Sequence, residues 1–322
     1  MKADVAIVGA GLAGIVCARR LVEAGRSVVL FDKGRKAGGR LSTRRAEPTR
    51  FDHGAPLFTA RSSAFVTEVQ GWAERGIVGA WDGRFTELRS NGTRAPWLSS
   101  AWVGTPSMSA IPAALVEGLD VRTQVRVGSV VSQEGAWTLE DEHGVGLGTF
   151  GTVLVNTPAG QASPLLAAVP RLRDAAAAVE MNPCWAVMIV PEQPWDPGFD
   201  AAQFDEGPLS RAVAQAAKPG RDATAGWVVH AEASWTHAHW ESPPEQVTQT
   251  LVAALEDVAE HPIGSLRFSS AHRWRYARVA QGLPAGCLWD ASMRLGACGD
   301  WCGGPGLEGA WISGHALAAR VG

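Results

Sequence analysis

The sequence predicts an α/β fold in which a three-layer nucleotide-binding domain is interleaved with an α+β domain. One observation is a pattern of strand, glycine turn, helix, strand and acid over residues 4–32. Another is a strand ending in Gly299-Asp300, followed by a glycine-rich turn and a helix over residues 308–320. Because these patterns lie at opposite ends of the sequence, we expect the nucleotide-binding domain to be assembled from both.

The N-terminal pattern is the fingerprint of a Rossmann-type dinucleotide-binding domain. An apolar run over residues 3–8 is typical of a buried strand, and residues 9–14 read GAGLAG. Gly9 permits the tight turn, Gly11 lets a pyrophosphate approach the backbone, and Gly14 lets the helix pack closely on the strand. The pyrophosphate then lies at the helix N-terminus, and Asp32 is placed to accept hydrogen bonds from the ribose.

The composition is that of a globular protein, with 46% hydrophobic and 19% charged residues. A net charge of −3 gives no indication of nucleic-acid or anionic-membrane binding. No apolar run reaches the length of a membrane span and no signal peptide precedes the first strand, so we expect a cytoplasmic protein. The five cysteines form no C-x-x-C pair, and we expect no metal site and no disulfide framework.

A basic, glycine-rich loop follows Asp32 and covers residues 33–45. Arg40 in this loop could place its guanidinium against pyrophosphate oxygens, which would be a charge-assisted contact. The alternative is a flexible surface loop. An extended, glycine-punctuated segment over residues 51–59 comes next.

The remaining elements follow from apolar periodicity and turn signals. Helices are expected over residues 63–75, 105–117, 171–179 and 245–260, and strands over residues 77–103, 121–127, 136–139, 152–155, 184–190, 226–231 and 265–274. The elements beyond about residue 162 are expected to form the substrate side of the site. We therefore predict a discontinuous cofactor domain of residues 1–60, 104–162 and 286–322, and a substrate domain of residues 61–103 and 163–285.

The fingerprint, the Gly38-Gly39-Arg40 loop, the turn at residues 52–55 and the Gly299-Asp300 and Glu308-Gly309-Ala310 segments together resemble the flavin-containing amine oxidases and their relatives. The resemblance implies a domain that binds FAD non-covalently, with covalent attachment through Cys302 as the alternative. It also implies that the N-terminus of the last helix faces the flavin, where its dipole stabilises the charge of the reduced ring. The implied FAD-binding residues are Gly9, Gly11, Leu12, Ala13, Gly14, Asp32, Lys33, Gly39, Arg40, Gly54, Ala55, Val125, Thr157, Gly299, Asp300, Leu307, Glu308 and Ala310.

Further segments resemble the bacterial renalase-like branch of that superfamily. They are residues 51–55 (FDHGA), 182–188 (NPCWAVM), 227–231 (WVVHA), 272–277 (HRWRYA) and 299–305 (GDWCGGP). This resemblance implies oxidation of dihydronicotinamide dinucleotides that are reduced at C2 or C6 of the ring. Hydride would pass to flavin N5, and O2 would then reoxidise the flavin, giving NAD(P)+ and H2O2.

The lysine and tyrosine counts favour this activity over amine oxidation. Amine oxidases typically keep a lysine near flavin N5 and aromatic side chains, often tyrosines, around the amine. Here the only lysine beyond Lys36 is Lys218, in a loop where replacement by methionine is expected to leave turnover nearly unchanged. The only tyrosine, Tyr276, lies in an arginine-rich stretch that would suit an anionic dinucleotide.

Oxidation of a dihydropyridine requires orientation of the donor carbon and no general base, so the sequence predicts orienting residues. The candidates are His53, Trp185, His230, Arg273, Trp274 and Trp301, and Arg273 could bind the substrate phosphates together with Arg275 and Arg278. Structural histidines, core tryptophans and solvated arginines are the alternatives. A flavin amine oxidase and a non-catalytic flavin-binding protein remain as other functions. We expect a small-molecule substrate and O2 as partners, in a monomer or homodimer.

Overall fold

The structure, a computed structural model, describes residues 3–47, 49–222 and 226–322. Its strands are β1 (Val5–Val8), β2 (Val28–Asp32), β3 (Arg44–Ala46), β4 (Thr49–Phe51), β5 (Val78–Trp81), β6 (Phe85–Leu88), β7 (Arg94–Pro96), β8 (Ala101–Gly104), β9 (Asp120–Thr123), β10 (Val127–Gln133), β11 (Ala136–Asp141), β12 (Gly146–Phe150), β13 (Thr152–Val155), β14 (Met181–Pro191), β15 (Ala201–Phe204), β16 (Leu209–Ala214), β17 (Trp227–Ala231), β18 (Leu266–Val279), β19 (Leu288–Asp290) and β20 (Leu295–Ala297). Its helices are α1 (Leu12–Glu23), α2 (Ser63–Glu74), α3 (Ala110–Leu115), α4 (Ala159–Leu165), α5 (Pro170–Ala177), α6 (Ala233–Ala238), α7 (Pro244–Ala259), α8 (Asp300–Gly303) and α9 (Gly306–Val321).

The first sheet has the strand order β19-β20-β13-β1-β2-β9 and is parallel except for its edge strand β19. Its central strands are apolar on both faces because both faces are covered. Val5 and Ile7 pack in a core with α1 and α9, whereas Ala6 and Val8 pack with the antiparallel sheet β10-β11-β12 and with α4 and α5. This arrangement gives the predicted three layers.

The second sheet has the order β18-β14-β17-β16-β15-β6-β7. Helix α7 covers one of its faces, where Leu251 and Leu255 pack with Val187 and Val229. The other face carries polar and aromatic side chains and lines a cavity together with residues at the ends of the first sheet. The longest strand pairing of this sheet, between β14 and its edge strand β18, lies at one side of the sheet.

The α/β fold class is confirmed, and the element boundaries differ from the predictions at several places. The strand expected over residues 121–127 is divided between β9 and β10, because Gln124 has a φ of 59° that interrupts the extended chain. The helix expected to reach residue 117 is only α3. Helix α2, which the sequence assigns to the substrate domain, packs in the core that holds α1 and α9. The domain division stays a prediction.

Candidate functional site

A cavity of about 2720 Å³ lies between the carboxyl ends of the parallel strands and the polar face of the second sheet. Ligand pockets of drug-sized molecules are typically about 300–1,000 Å³, so this cavity has room for a dinucleotide and a second molecule. Its position at the ends of parallel strands is the usual ligand site of doubly wound sheets. The predicted cofactor residues that line it are Gly9, Gly11, Leu12, Ala13, Asp32, Lys33, Gly39, Arg40, Gly54, Ala55, Val125, Thr157, Gly299, Asp300, Leu307, Glu308 and Ala310.

The glycine fingerprint has the geometry that its spacing predicts. Gly9 has a φ of +104°, which a glycine adopts without strain. A Cβ on Gly14 would lie 2.5 Å from the carbonyl oxygen of Gly9, so Gly14 allows close packing and lies outside the cavity lining. Helix α1 begins after Gly11, which offers no side chain to cap it, so its first N–H groups are available to an anion.

Asp32, which the sequence predicts to accept hydrogen bonds from a ribose, also holds the fingerprint turn and the loop that follows β2. Its Oδ2 accepts a hydrogen bond from the N–H of Ala10 at 2.7 Å, and its Oδ1 accepts one from the N–H of Gly34 at 2.7 Å. Each carboxylate oxygen has further acceptor capacity. The side chain can therefore hold the turn and still accept from a ribose hydroxyl.

Arg40 lines the cavity, and its guanidinium is also engaged by a carboxylate. Its two terminal nitrogens donate to the two oxygens of Asp300 at 2.7 Å each, and Nη1 also donates to the carbonyl of Ala277. The carbonyl of Arg40 accepts from the N–H of Ala55, and a Cβ on Gly54 would overlap that carbonyl. The basic loop is thus fixed between the turn at Gly54 and the C-terminal segment instead of being a flexible surface loop.

Helix α9 presents its N-terminus to the cavity, as the sequence predicts. The N–H groups of its first turn have no intrahelical acceptor. The side chain of Glu308 turns away from this end and accepts from the N–H groups of Arg61 and Ser62, before α2. Leu307 and Ala310 line the cavity next to it, so the backbone, and not the Glu308 carboxylate, is what this turn offers a ligand.

Several buried polar atoms beside the cavity lack a hydrogen-bond partner among the described residues. They are Oδ1 of Asn156, Oγ1 of Thr157 and Nδ1 of His53. All three residues line the cavity. Buried polar atoms are normally paired, so these atoms indicate positions where a ligand can supply the missing partner.

His53 is held by two strands of the second sheet. Its carbonyl accepts from the indole N–H of Trp274 at 3.0 Å and from Nε2 of His230 at 3.0 Å. A carbonyl can only accept, so Nε2 of His230 carries the proton. Burial lowers the pKa of His53 to about 4, assisted by His272, and lowers the pKa of His230 to about 3, assisted by Arg278. Both imidazoles are therefore neutral at neutral pH.

Strand pairing places a row of side chains across the cavity face of the second sheet. His272 of β18, Ala186 of β14, His230 of β17 and Arg211 of β16 are directly opposite one another in successive strands, and Gln203 of β15 continues the row. Directly paired residues share a face of the sheet. His272, His230, Arg211 and Gln203 all line the cavity.

Two of the predicted site residues lie on the other face of the second sheet, because side chains alternate between the two faces along a strand. Trp185 pairs with Arg273 on the opposite face of the sheet, and neither lines the cavity. Trp185 donates to the carbonyl of His239, and Arg273 donates to the carbonyl of Trp240. Because successive residues of a strand point to opposite faces, Arg273 and its neighbour Trp274 could not both face one ligand.

The other predicted substrate residues have mixed positions. Trp274 lines the cavity beside His53 and His272, with ring centroids 5.2 and 4.6 Å away. Trp301 touches the cavity but is only 1% exposed, and it packs in the core against the first sheet, where its indole N–H donates to the carbonyl of Thr157.

Arg275, Arg278 and Cys302 are the other residues that the sequence predicts as candidates for substrate binding or flavin attachment. Arg275 and Arg278 line the cavity, although the guanidinium of Arg275 also lies 5.7 Å from the Trp240 ring. Cys302, the alternative attachment point, is buried outside the lining, and burial raises the pKa of its thiol far above the ordinary value.

Lys218 is buried, which its loop sequence did not indicate. Its Nζ donates to Oδ2 of Asp52 at 2.9 Å and to Oε1 of Gln215 at 3.1 Å, and Arg221 donates to the same Asp52 oxygen at 2.6 Å. Burial alone would raise the pKa of Asp52, but Lys218 and Arg221 lower it to about 2. The network lies under the turn that carries His53, outside the cavity lining. Replacement of Lys218 is therefore a structural change, and the expectation that turnover stays nearly unchanged remains a prediction.

Sequence reasoning missed Arg211 and His272 as cavity residues. His272 stands two residues before Trp274, so the period of the strand could have identified it. Arg211 had no such signal, because only the pairing of β16 with β17 brings it next to His230.

Comparisons with known proteins support the fold. A model of an NAD(P)-binding Rossmann-like domain matches residues 7–69. A proposed protoporphyrinogen oxidase from Exiguobacterium sp. 255-15 is similar in structure, with a TM-score of 0.78, 12% identity, and coverage of 100% of this chain and 99% of that one.

Two further solved structures are similar at the same level. Cyclohexylamine oxidase from Brevibacterium oxydans IH-35A has a TM-score of 0.76 at 13% identity, and covers 100% of this chain and 99% of its own. An oxidoreductase from Methanosarcina mazei has a TM-score of 0.73 at 12% identity, with 98% and 99% coverage. At these identities the likeness establishes the fold. Among the described residues, no helix combines the length and hydropathy needed to cross a bilayer.

Proposed function

We propose that this chain is an FAD-dependent oxidase of the renalase-like type, acting on dihydronicotinamide dinucleotides reduced at C2 or C6. FAD, when bound, supplies an acceptor for the hydride and passes the electrons to O2, which gives NAD(P)+ and H2O2. The similar solved structures include amine oxidases, and their fold supports an oxidase of this general kind.

The residues of the first domain fit FAD. The uncapped N-terminus of α1 can bind the pyrophosphate, and Asp32 can accept from the ribose. The N-terminus of α9, which also lines the cavity, provides further unpaired N–H groups. The partnerless Oδ1 of Asn156 lies beside the start of α1 and offers an acceptor, and the partnerless hydroxyl of Thr157 offers an acceptor and a donor.

The charge on the substrate side of the cavity is the observation that carries the proposal. The described acidic residues in the lining are Asp32, Glu142, Asp300 and Glu308, and none belongs to the second sheet. That sheet contributes neutral histidines and the cations Arg211 and Arg278, whereas the guanidinium of Arg275 lies over the Trp240 ring. A cationic amine would find no counter-charge there, whereas an anionic dinucleotide would.

The chain's own residues would orient the substrate. Trp274 offers an aromatic face, and its indole N–H is already fixed by the carbonyl of His53. Nδ1 of His53 is buried and has no hydrogen-bond partner among the described residues. As a nitrogen of a neutral imidazole, it can form a hydrogen bond with the carboxamide of the nicotinamide. No proton needs to be removed from the substrate, so rigid placement is what this site contributes.

Anaerobic mixing of the FAD-loaded protein with each dihydronicotinamide isomer tests the proposal. We expect an isomer to bleach the flavin absorption within seconds, and air to restore it with formation of H2O2. A panel of primary and secondary amines is the parallel arm. Bleaching by an amine alone would replace this proposal with an amine oxidase, and a protein that no donor reduces would contradict both.

The location and assembly of the protein remain predictions. We propose a cytoplasmic monomer or homodimer whose partners are the small-molecule substrate and O2. Analytical ultracentrifugation of the FAD-loaded protein over a range of concentrations would give its molecular mass and so distinguish a monomer from a homodimer.

A further inference from the structure

Arg211 carries a positive charge into the cavity that the described acidic residues do not neutralise. It extends from β16, and its Nε is buried without a hydrogen-bond partner in residues 3–47, 49–222 and 226–322. The carboxylate of Glu87, two strands away in the same row, is bound by Arg89 and Gln203. A buried charge without a partner is expensive, so its presence suggests a ligand that pairs with it.

Trp97 fixes the plane of this guanidinium. The guanidinium carbon lies 4.8 Å from the centroid of the Trp97 ring, and Trp97 also lines the cavity. Stacking uses the face of the guanidinium and leaves the N–H groups along its edge free to bind an oxyanion. Arg211 is therefore preorganised for a planar, two-point contact.

A second cation stands close to Arg211. Burial and, second to it, the positive charge of Arg278 together lower the pKa of Arg211 to about 9. Arg278 extends from the end of β18 into the same cavity. Two like charges in one cavity favour a ligand that carries more than one negative charge, which a phosphate or pyrophosphate group does.

We propose that Arg211, together with Arg278, binds a phosphate group of the substrate, and that Arg211 makes this enzyme selective for nucleotides over nicotinamides that lack a phosphate. The phosphate site itself is inferred from the structure. The inference rests on the proposed function only in taking the remainder of the ligand to be a nicotinamide nucleoside. His230, directly opposite Arg211 in the neighbouring strand, joins this phosphate site to the aromatic residues around His53.

Binding to the FAD-loaded protein tests the proposal without turnover. Nicotinamide mononucleotide and nicotinamide riboside differ by one phosphate, and calorimetry gives the dissociation constant of each. We expect the protein to bind the mononucleotide at least about tenfold more tightly, which corresponds to about 1.4 kcal/mol. Arg211→Met should remove this preference while leaving the affinity for the riboside unchanged.

Two further variants serve as controls. Arg267→Met changes an exposed arginine of β18 outside the cavity and should keep the preference. Arg211→Lys keeps the charge without the planar fork and should restore only part of it. Because Arg211→Met removes an unpaired charge, its thermal unfolding temperature should equal or exceed that of the wild type.

The inference is overturned if the wild type binds both ligands equally, if the preference survives in Arg211→Met, or if that variant is markedly destabilised. Inorganic pyrophosphate separates this result from the proposed function. If neither nicotinamide ligand binds but pyrophosphate binds the wild type and not Arg211→Met, the phosphate site stands and the dihydronicotinamide proposal fails. If pyrophosphate binds both proteins equally, the phosphate site is excluded.

Discussion

Asp52 holds the turn beside His53 through a buried network of charges. Its Oδ2 accepts hydrogen bonds from the side chains of Lys218 and Arg221, and its Oδ1 accepts hydrogen bonds from the hydroxyl of Thr43 and the N–H of Met108. The side chain of Lys218 is 0% exposed and that of Asp52 is 1% exposed. A network of this kind is stable when complete, but becomes unfavourable when one member is removed.

Lys218→Met should therefore destabilise the protein. Removal of one partner from a buried ion pair typically lowers the free energy of unfolding by about 3–5 kcal/mol, and Arg221, which remains, should keep the loss near the lower value. Urea unfolding of the apoprotein measures it. Lys36→Met, at an exposed position, is the control and should change the free energy by less than about 0.5 kcal/mol. A fully stable Lys218→Met variant would contradict the burial described here.

The neutral histidines make the protein sensitive to acid. The folded pKa values of about 4 for His53 and about 3 for His230 lie below the ordinary 6.5, so between pH 6.5 and 4 the unfolded chain binds protons that the folded chain does not. The free energy of unfolding should therefore fall as the pH falls through this window, by about 1.4 kcal/mol per pH unit for each histidine.

Denaturant unfolding at several pH values, with His230→Gln, measures this contribution. Near pH 5, the free energy of unfolding of this variant should change less steeply with pH than that of the wild type, by about 1.4 kcal/mol per pH unit, because glutamine does not titrate. His143→Gln, at an exposed position, is the control and should leave the slope unchanged. An unchanged slope in His230→Gln would show that this imidazole is not held neutral by burial.

At the scale of elements, helix α1 and the fingerprint turn form one anion-binding unit. A Cβ on Gly11 would lie 3.0 Å from Oδ1 of Asn156, at the N-terminus of α1. Gly11→Val should therefore fill the space that the pyrophosphate needs and abolish FAD binding. The ratio of flavin absorbance to protein after purification is the measurement.

Gly71→Val provides the matched control for this change. Gly71 lies in α2, where an added Cβ meets open space, so this variant should retain FAD. A yellow, FAD-saturated Gly11→Val protein would contradict the placement of the cofactor at α1.

At the scale of the whole molecule, the Arg40–Asp300 pair joins residues 260 positions apart in the sequence. Its bidentate geometry fixes the glycine-rich loop to the start of α8. Arg40→Met would leave the carboxylate of Asp300, whose side chain is 7% exposed, without its partner. We expect a lower unfolding temperature and loss of FAD on dilution.

Arg20→Met removes a surface pair with Glu23 and is the control for Arg40→Met. The side chains of Arg20 and Glu23 are both about half exposed, so this substitution should change neither the unfolding temperature nor the FAD content appreciably. Thermal unfolding and the FAD content after gel filtration distinguish the two variants. Equal behaviour of both would show that the Arg40 pair does not connect the two ends of the domain.

The sequence by itself determined the three-layer α/β class, the fingerprint and the cofactor-facing glycine turns. These features depend on local rules, in which strand, turn and helix signals follow one another within a short stretch, as at Gly9 and Gly14. Most candidate FAD residues consequently line one cavity.

Only the tertiary structure decided which candidates on the substrate side meet. Trp185 and Arg273 face away from the cavity while Trp274 faces it, because the face of each strand residue is set by register and covering helices. Arg211 reaches the site only through the pairing of β16 with β17. The buried position of Lys218 likewise arises from long-range contact with Asp52, 166 residues away, which no local pattern encodes.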